Sequence, residues 1–106
     1  MTPTMAIKIL PSRAAMPVIG LGVFRSEPGA ETYNAVLSAL KLGYRHIHTA
    51  QYYENEADVG CTVRDSGIAR EEIFVATKSF LDSWSYNEAM NAAKSSNEKL
   101  GLGYTD

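Results

Sequence analysis

The stretch GYRHIHTAQYYENEADVG, residues 43–60, changes character twice along its length. Tyr44-Arg45-His46-Ile47 suits a short strand. Asn55 can cap a helix that follows, with Glu56 and Asp58 in its first turn, where carboxylates favour the positive end of the helix dipole. Val59 and Val63 give that helix an apolar edge, and Gly67 can end it. Between strand and helix lie His48, Tyr52 and Tyr53, polar and aromatic groups where the chain must turn.

Reading outward, the same alternation continues on both sides. Upstream, Tyr33, Val36, Leu37 and Leu40 follow the i, i+3, i+4, i+7 spacing of one helical stripe, with Pro28 near its start and Gly43 just past its end. Before that helix, Gly20–Phe24 is apolar and punctuated by glycine, as suits a short buried strand with close backbone approach. Ala6–Leu10 and Met16–Ile19, separated by Pro11-Ser12-Arg13, read as a hairpin-like lead-in. Downstream, Arg70-Glu71-Glu72 is a polar connector, and Ile73–Ala76 is a continuous apolar run of the kind covered on both faces. Ser85 and Glu88 form a capping box for a third helix, with Ala89, Ala93, Ser96 and Leu100 on one face and Gly101 as its stop.

Strand and helix alternate three times, which predicts an α/β fold of right-handed parallel βα units behind a short β-hairpin. A (β/α)8 TIM barrel takes about 250 residues. The 106 residues here could hold less than half of one, so three βα units would make an incomplete barrel, read as one partial domain over residues 1–106. After Gly101 the chain reads Leu-Gly-Tyr-Thr-Asp106 and stops where another strand should begin.

Composition narrows the function. The 10 Lys+Arg against 12 Asp+Glu give a net charge of −2 without a basic cluster, which argues against nucleic acid as a partner. Tyr52–Tyr53 has no interleaved basic residues, so it is no stacking platform for bases. The single cysteine, Cys61, permits no internal disulfide and reads as a small apolar filler. No apolar run approaches the ~20 residues of a membrane span, and a cytoplasmic protein is the default. His46 and His48 alternate on a strand and face one side, but no further Cys, His or carboxylate completes a metal site. His46 reads as a packing residue beside Arg45, and Trp84 and Tyr86 as packing residues before the third helix.

Residues 43–60 resemble the aldo-keto reductase signature, Gly-Tyr-Arg-His-Ile-Asp-Thr-Ala, five residues, Glu, two residues, Val-Gly, with His48 in place of the Asp. Three further blocks are similar to the family in the same order: Met16–Phe24 to its entry strand, Arg70–Lys78 to its third strand, and Lys99–Asp106 to the approach to its fourth. The resemblance implies a (β/α)8 barrel that reduces aldehydes or ketones with NADPH through an Asp, Tyr, Lys and His tetrad. Tyr53 matches the tyrosine and Lys78 the lysine, while His48 stands at the Asp position. The tetrad histidine would follow Asp106. By the same resemblance, Gly22, Val23 and Phe24 lie near the nicotinamide, and Phe24 and Phe80 line the substrate pocket. His48, Tyr53 and Lys78 all fall at or just beyond predicted strand ends, where barrel chemistry sits.

The implied mechanism sends hydride to the carbonyl carbon and a proton from Tyr53 to the oxygen. A free tyrosine releases its proton only near pH ~10, so a neighbouring Lys78 ammonium is needed to favour the phenolate. The family's Asp would keep that ammonium charged and oriented. A neutral His48 offers no counter-charge, and a protonated one adds a second cation. The expectation is therefore impaired chemistry; NADPH binding is expected to be weak or absent because, by the resemblance, most contacts to its phosphate and adenine come from later strands and helices. The alternative is a non-catalytic truncated barrel, either an interaction module that self-associates through open sheet edges or an incomplete gene product.

Overall fold

The structure, a computed structural model, describes residues 6–79 and 85–106. The lead-in is a hairpin in which β1 (Ile7–Ile9) pairs antiparallel with β2 (Ala15–Pro17). The Pro11-Ser12-Arg13 turn closes it, with Arg13 at φ 71° and its N–H donating to the Leu10 carbonyl at 2.8 Å.

Three short parallel strands follow: β3 (Leu21–Gly22), β4 (His46–His48) and β5 (Phe74–Ala76), side by side in that order. Leu21 pairs with Ile47 and Ile47 with Val75, while Gly22 pairs with His48 and His48 with Ala76. Helix α1 (Ala30–Lys41) connects β3 to β4, α2 (Glu56–Asp65) connects β4 to β5, and α3 (Tyr86–Leu100) follows β5. Parallel neighbours need such crossovers, and here strands that follow one another in sequence also lie side by side.

Side chains alternate across a strand, and the sheet's two faces differ accordingly. Ile47 and Val75, each 0% exposed, join Val36 and Leu40 of α1, Val59 and Val63 of α2, and Leu100 of α3 in one apolar cluster. Burying each such side chain stabilises the fold by about 1.5–3 kcal/mol. His46 and His48 lie on the opposite face, half-buried. The His46 ring meets Phe74 edge-on at 4.9 Å between centroids, and its Nδ1–H donates to the Pro17 carbonyl at 3.0 Å, which ties the hairpin to the sheet. Gly20 leaves room for this ring, since a Cβ there would lie 2.9 Å from His46 Cγ.

The helices depart from the sequence reading in detail. In α1 the buried residues are Thr32, Val36, Ala39 and Leu40, with Tyr33 and Leu37 at the stripe's half-buried margin. In α3 the buried face is Ala92, Ser96 and Leu100, while Ala89 and Ala93 are exposed; the helix packs on α2. Tyr86 opens α3 and is 78% exposed, so it does not pack as expected. Trp84 lies outside the described residues. The Ser85 cap forms as read, with the Glu88 N–H donating to its hydroxyl at 3.1 Å.

Helices α2 and α3 touch at one bare point. A Cβ on Gly60 would lie 1.8 Å from the Leu100 carbonyl oxygen. Beside it, Arg64 Nη1 donates to the carbonyls of Leu100 at 2.7 Å and Gly101 at 3.2 Å, and Gly101, at φ 64°, ends the helix in the left-handed region. The chain then returns to β5: Asp106 N–H donates to the Val75 carbonyl, and Val75 N–H donates to the Asp106 carboxylate, both at 3.0 Å. Arg70 clamps this return, pairing with Asp106 at 2.7 Å and lying over the Tyr104 ring at 4.1 Å. No helix among the described residues is long and apolar enough to cross a membrane.

Candidate active site

Beyond their formal ends, the three parallel strands keep pairing for a residue or two. Val23 N–H donates to the His48 carbonyl at 3.2 Å, Thr49 N–H to Ala76 at 2.8 Å, and Gln51 N–H to Lys78 at 2.8 Å. This ladder brings the segments after β3, β4 and β5 to one edge of the sheet. After β4 the chain is extended at Ala50 and then makes a tight turn over Gln51–Tyr53, closed by Tyr53 N–H to the Ala50 carbonyl at 3.0 Å. Glu54 takes φ 58° to leave that turn, a left-handed conformation that strains a residue with a side chain.

The turn returns Tyr53 toward the other two segments. Its ring lies 5.3 Å from the Phe24 ring, tilted at 53°. Lys78 Nζ sits 5.7 Å from the Tyr53 ring centroid, within the range of an attractive ammonium–aromatic contact. A cleft of about 400 Å³ opens here, lined by Ala50, Tyr52, Tyr53, Lys78 and Ser79. Phe24, Tyr53 and Lys78, singled out in the sequence, are thus brought together.

The remaining candidates are placed differently. His48 is a strand residue beside the cleft and is not part of its lining. Burial pushes its imidazole below the usual histidine range, and the Lys78 ammonium and then His46 push it further the same way. The neutral form is therefore favoured near pH 7, an imidazole that offers Lys78 no counter-charge. Lys78 itself is exposed. Val23 is 1% exposed in the core; its N–H and carbonyl are both taken by backbone and side-chain partners. Phe80 lies outside the described residues. Among those residues no group of three His, Cys, Asp or Glu is placed to hold a metal ion.

Gly22 and Phe24 bear on the cofactor that the resemblance implies. A Cβ on Gly22 would meet no atom within 4 Å, and Phe24 is 57% exposed next to it. A bare backbone beside an aromatic ring fits the flat nicotinamide end of NADPH. Three arginines are engaged elsewhere: Arg45 on the Leu40 and Tyr44 carbonyls, Arg64 on α3, and Arg70 on Asp106.

Two residues emerge that the sequence reading assigned otherwise. Asn55 stands at the N-cap position of α2, yet its side chain makes no cap bond. It is 0% exposed, accepts the Thr49 hydroxyl at 2.7 Å, and donates to the carbonyls of Val23 at 3.1 Å and Ser26 at 3.3 Å. Glu56, read as a dipole-facing first-turn acid, is 2% exposed and accepts the Thr77 hydroxyl at 2.7 Å. An Asn-Glu pair at a helix start is ordinary capping chemistry, so nothing local distinguishes it from a cap.

Comparison with known proteins places this geometry. The profile of the Aldo/keto reductase family matches residues 18–106. The 9,11-endoperoxide prostaglandin H2 reductase of Trypanosoma cruzi is 50% identical over 91 residues, 86% of this chain and 32% of its own length. An aldo/keto reductase from Brucella melitensis superposes with a TM-score of 0.90 at 40% identity, over 97% of this chain and 40% of its own. A Bombyx mori aldo-keto reductase in complex with NADP superposes with a TM-score of 0.87 at 32% identity, over 99% of this chain and 37% of its own. The chain spans about a third of the length of the curated relatives it matches, so it corresponds to part of a (β/α)8 barrel.

Proposed function

Because the chain belongs to the aldo/keto reductase family, we propose that its cleft is the proton-donor side of a site for NADPH-dependent reduction of small aldehydes or ketones. The observation that carries this reading is the meeting of Tyr53 and Lys78 at one cleft, with the ammonium 5.7 Å from the phenol ring centroid. When bound, NADPH supplies a hydride to the carbonyl carbon. Tyr53 supplies the proton to the carbonyl oxygen and is left as phenolate until solvent reprotonates it. The Lys78 ammonium stabilises that phenolate by opposite charge. Gly22 keeps the backbone bare for the nicotinamide, and Phe24 forms an apolar wall packed on Tyr53.

His48 weakens this set. A carboxylate at its position would attract the Lys78 ammonium and fix its direction, whereas a neutral imidazole supplies at most one hydrogen bond. The site is therefore proposed to work below the family's capacity in carbonyl reduction.

The test uses a completed barrel, in which residues 18–106 replace the matching segment of the 50%-identical relative. NADPH-dependent reduction of small aldehydes is the readout. Tyr53→Phe removes the acidic hydroxyl and keeps the ring, and should lower kcat by about 10²–10⁴-fold, the range of general acid catalysis. A variant that keeps its turnover would show that Tyr53 is a packing residue.

A further inference from the structure

We infer that Asn55 and Glu56 are positioning residues that hold the three loops carrying Phe24, Tyr53 and Lys78 in one arrangement. The inference rests on Tyr53 and Lys78 being the reacting pair.

Asn55 and Glu56 stand at the start of α2, 0% and 2% exposed, in a position where polar side chains ordinarily serve their own helix. Both turn away from it. Asn55 Nδ2 bonds the carbonyls of Val23 and Ser26, which bracket Phe24. Its Oδ1 takes the hydroxyl of Thr49, at the root of the Tyr53 turn. Glu56 takes the hydroxyl of Thr77, the residue before Lys78. Two adjacent side chains thus reach the ends of β3, β4 and β5.

The arrangement is over-determined because Asn55, Glu56, Thr49 and Val23 are buried, with Ser26 and Thr77 partly so. A loop that slides away leaves an amide or hydroxyl without water and without a partner, which is strongly disfavoured. Displacement of a reacting group by about 1 Å can lower turnover by about 10²-fold, so such a brace matters for the proposed chemistry without touching substrate.

The two side chains divide the work, and substitutions separate them. Asn55→Asp keeps the acceptor for Thr49 and loses the donor to Val23 and Ser26. It should free Phe24 while Tyr53 stays beside Lys78. Glu56→Ala removes the tie to Thr77, whereas Glu56→Gln retains an acceptor oxygen and should rescue it. Val63→Ala weakens the core outside the network and serves as the control.

The isotopically labelled chain itself is examined by NMR, reading ring-to-ring NOEs between Phe24 and Tyr53 and the shift that the Tyr53 ring imposes on Lys78 side-chain protons. Asn55→Asp is expected to lose the NOEs and keep the Lys78 shift. Glu56→Ala is expected to lose the Lys78 shift, with Glu56→Gln and Val63→Ala keeping both signals. NOEs that persist in Asn55→Asp, or signals lost equally in Val63→Ala, would overturn the inference. If Asn55→Asp does not fold, the Glu56→Ala and Glu56→Gln pair decides by the Lys78 shift. A wrong assignment of Tyr53 to catalysis would show instead as unchanged turnover in Tyr53→Phe, leaving these NMR outcomes as they are.

Discussion

Ile47 lies wholly inside the helix-facing layer, while His46 and His48, one residue to either side, are half-buried on the other face of the same strand. The contrast extends across the sheet. Val75 is sealed with Ile47 under the helices, and its neighbour Ala76 shares the open face with His48 and Gly22. One face is closed by aliphatic side chains that touch one another. The other carries histidines, a bare glycine and, past the strand ends, Tyr53 and Lys78. A change on the first face should therefore be read in stability and a change on the second in chemistry.

The comparison would break most visibly at Ile47. Ile47→Ala leaves a cavity in the sealed layer and should destabilise the chain by about 2–5 kcal/mol, measured by urea unfolding. An effect below 1 kcal/mol would mean that the layer is not the core. Gly60→Ala probes the same layer from outside. Its methyl group would lie 1.8 Å from the Leu100 carbonyl oxygen if nothing moved, so α2 and α3 must separate. A loss of about 1–3 kcal/mol is expected, with slowed amide exchange lost at the α3 end nearest Leu100.

The smallest effect sharpens the other face. Because the folded protein holds His48 below the usual histidine range, the unfolded chain binds its proton first as pH falls. Stability from this group is present above about pH 6.5 and declines below it, toward the lowered folded value. The decline in Tm between neutral and mildly acidic pH should shrink in His48→Asn. An unchanged profile would mean that His48 is as well solvated in the fold as in the unfolded chain.

The order of elements could be read in advance because it is written in periodicities. The spacing of Val36 and Leu40, the apolar run Ile73–Ala76, the capping box at Ser85 and the stop glycines Gly43, Gly67 and Gly101 all act within a few residues of one another. The proposed site rests on a different signal: Tyr53 and Lys78 sit in blocks that resemble a known family, and no local rule selects them. What escaped depended on tertiary contact. Ala92 rather than Ala93 is buried, and α3 packs against α2, meeting it at Gly60, a contact set 32 residues earlier in the chain, counting from 60 to 92. Asn55 and Glu56 were read as cap and dipole partner because their true partners, Val23, Ser26 and Thr77, are distant in sequence.

His48 is where the two faces and the family pattern meet, and its replacement tests the account most directly. In the completed barrel, His48→Asp supplies the counter-charge that a neutral imidazole lacks beside Lys78. The account predicts a rise in kcat/KM for NADPH-dependent aldehyde reduction of at least ~10-fold, about 1.4 kcal/mol of transition-state stabilisation, with little change in Tm. Equal turnover in the two proteins would contradict it, and would show that the open face of this sheet does not depend on a charge at residue 48.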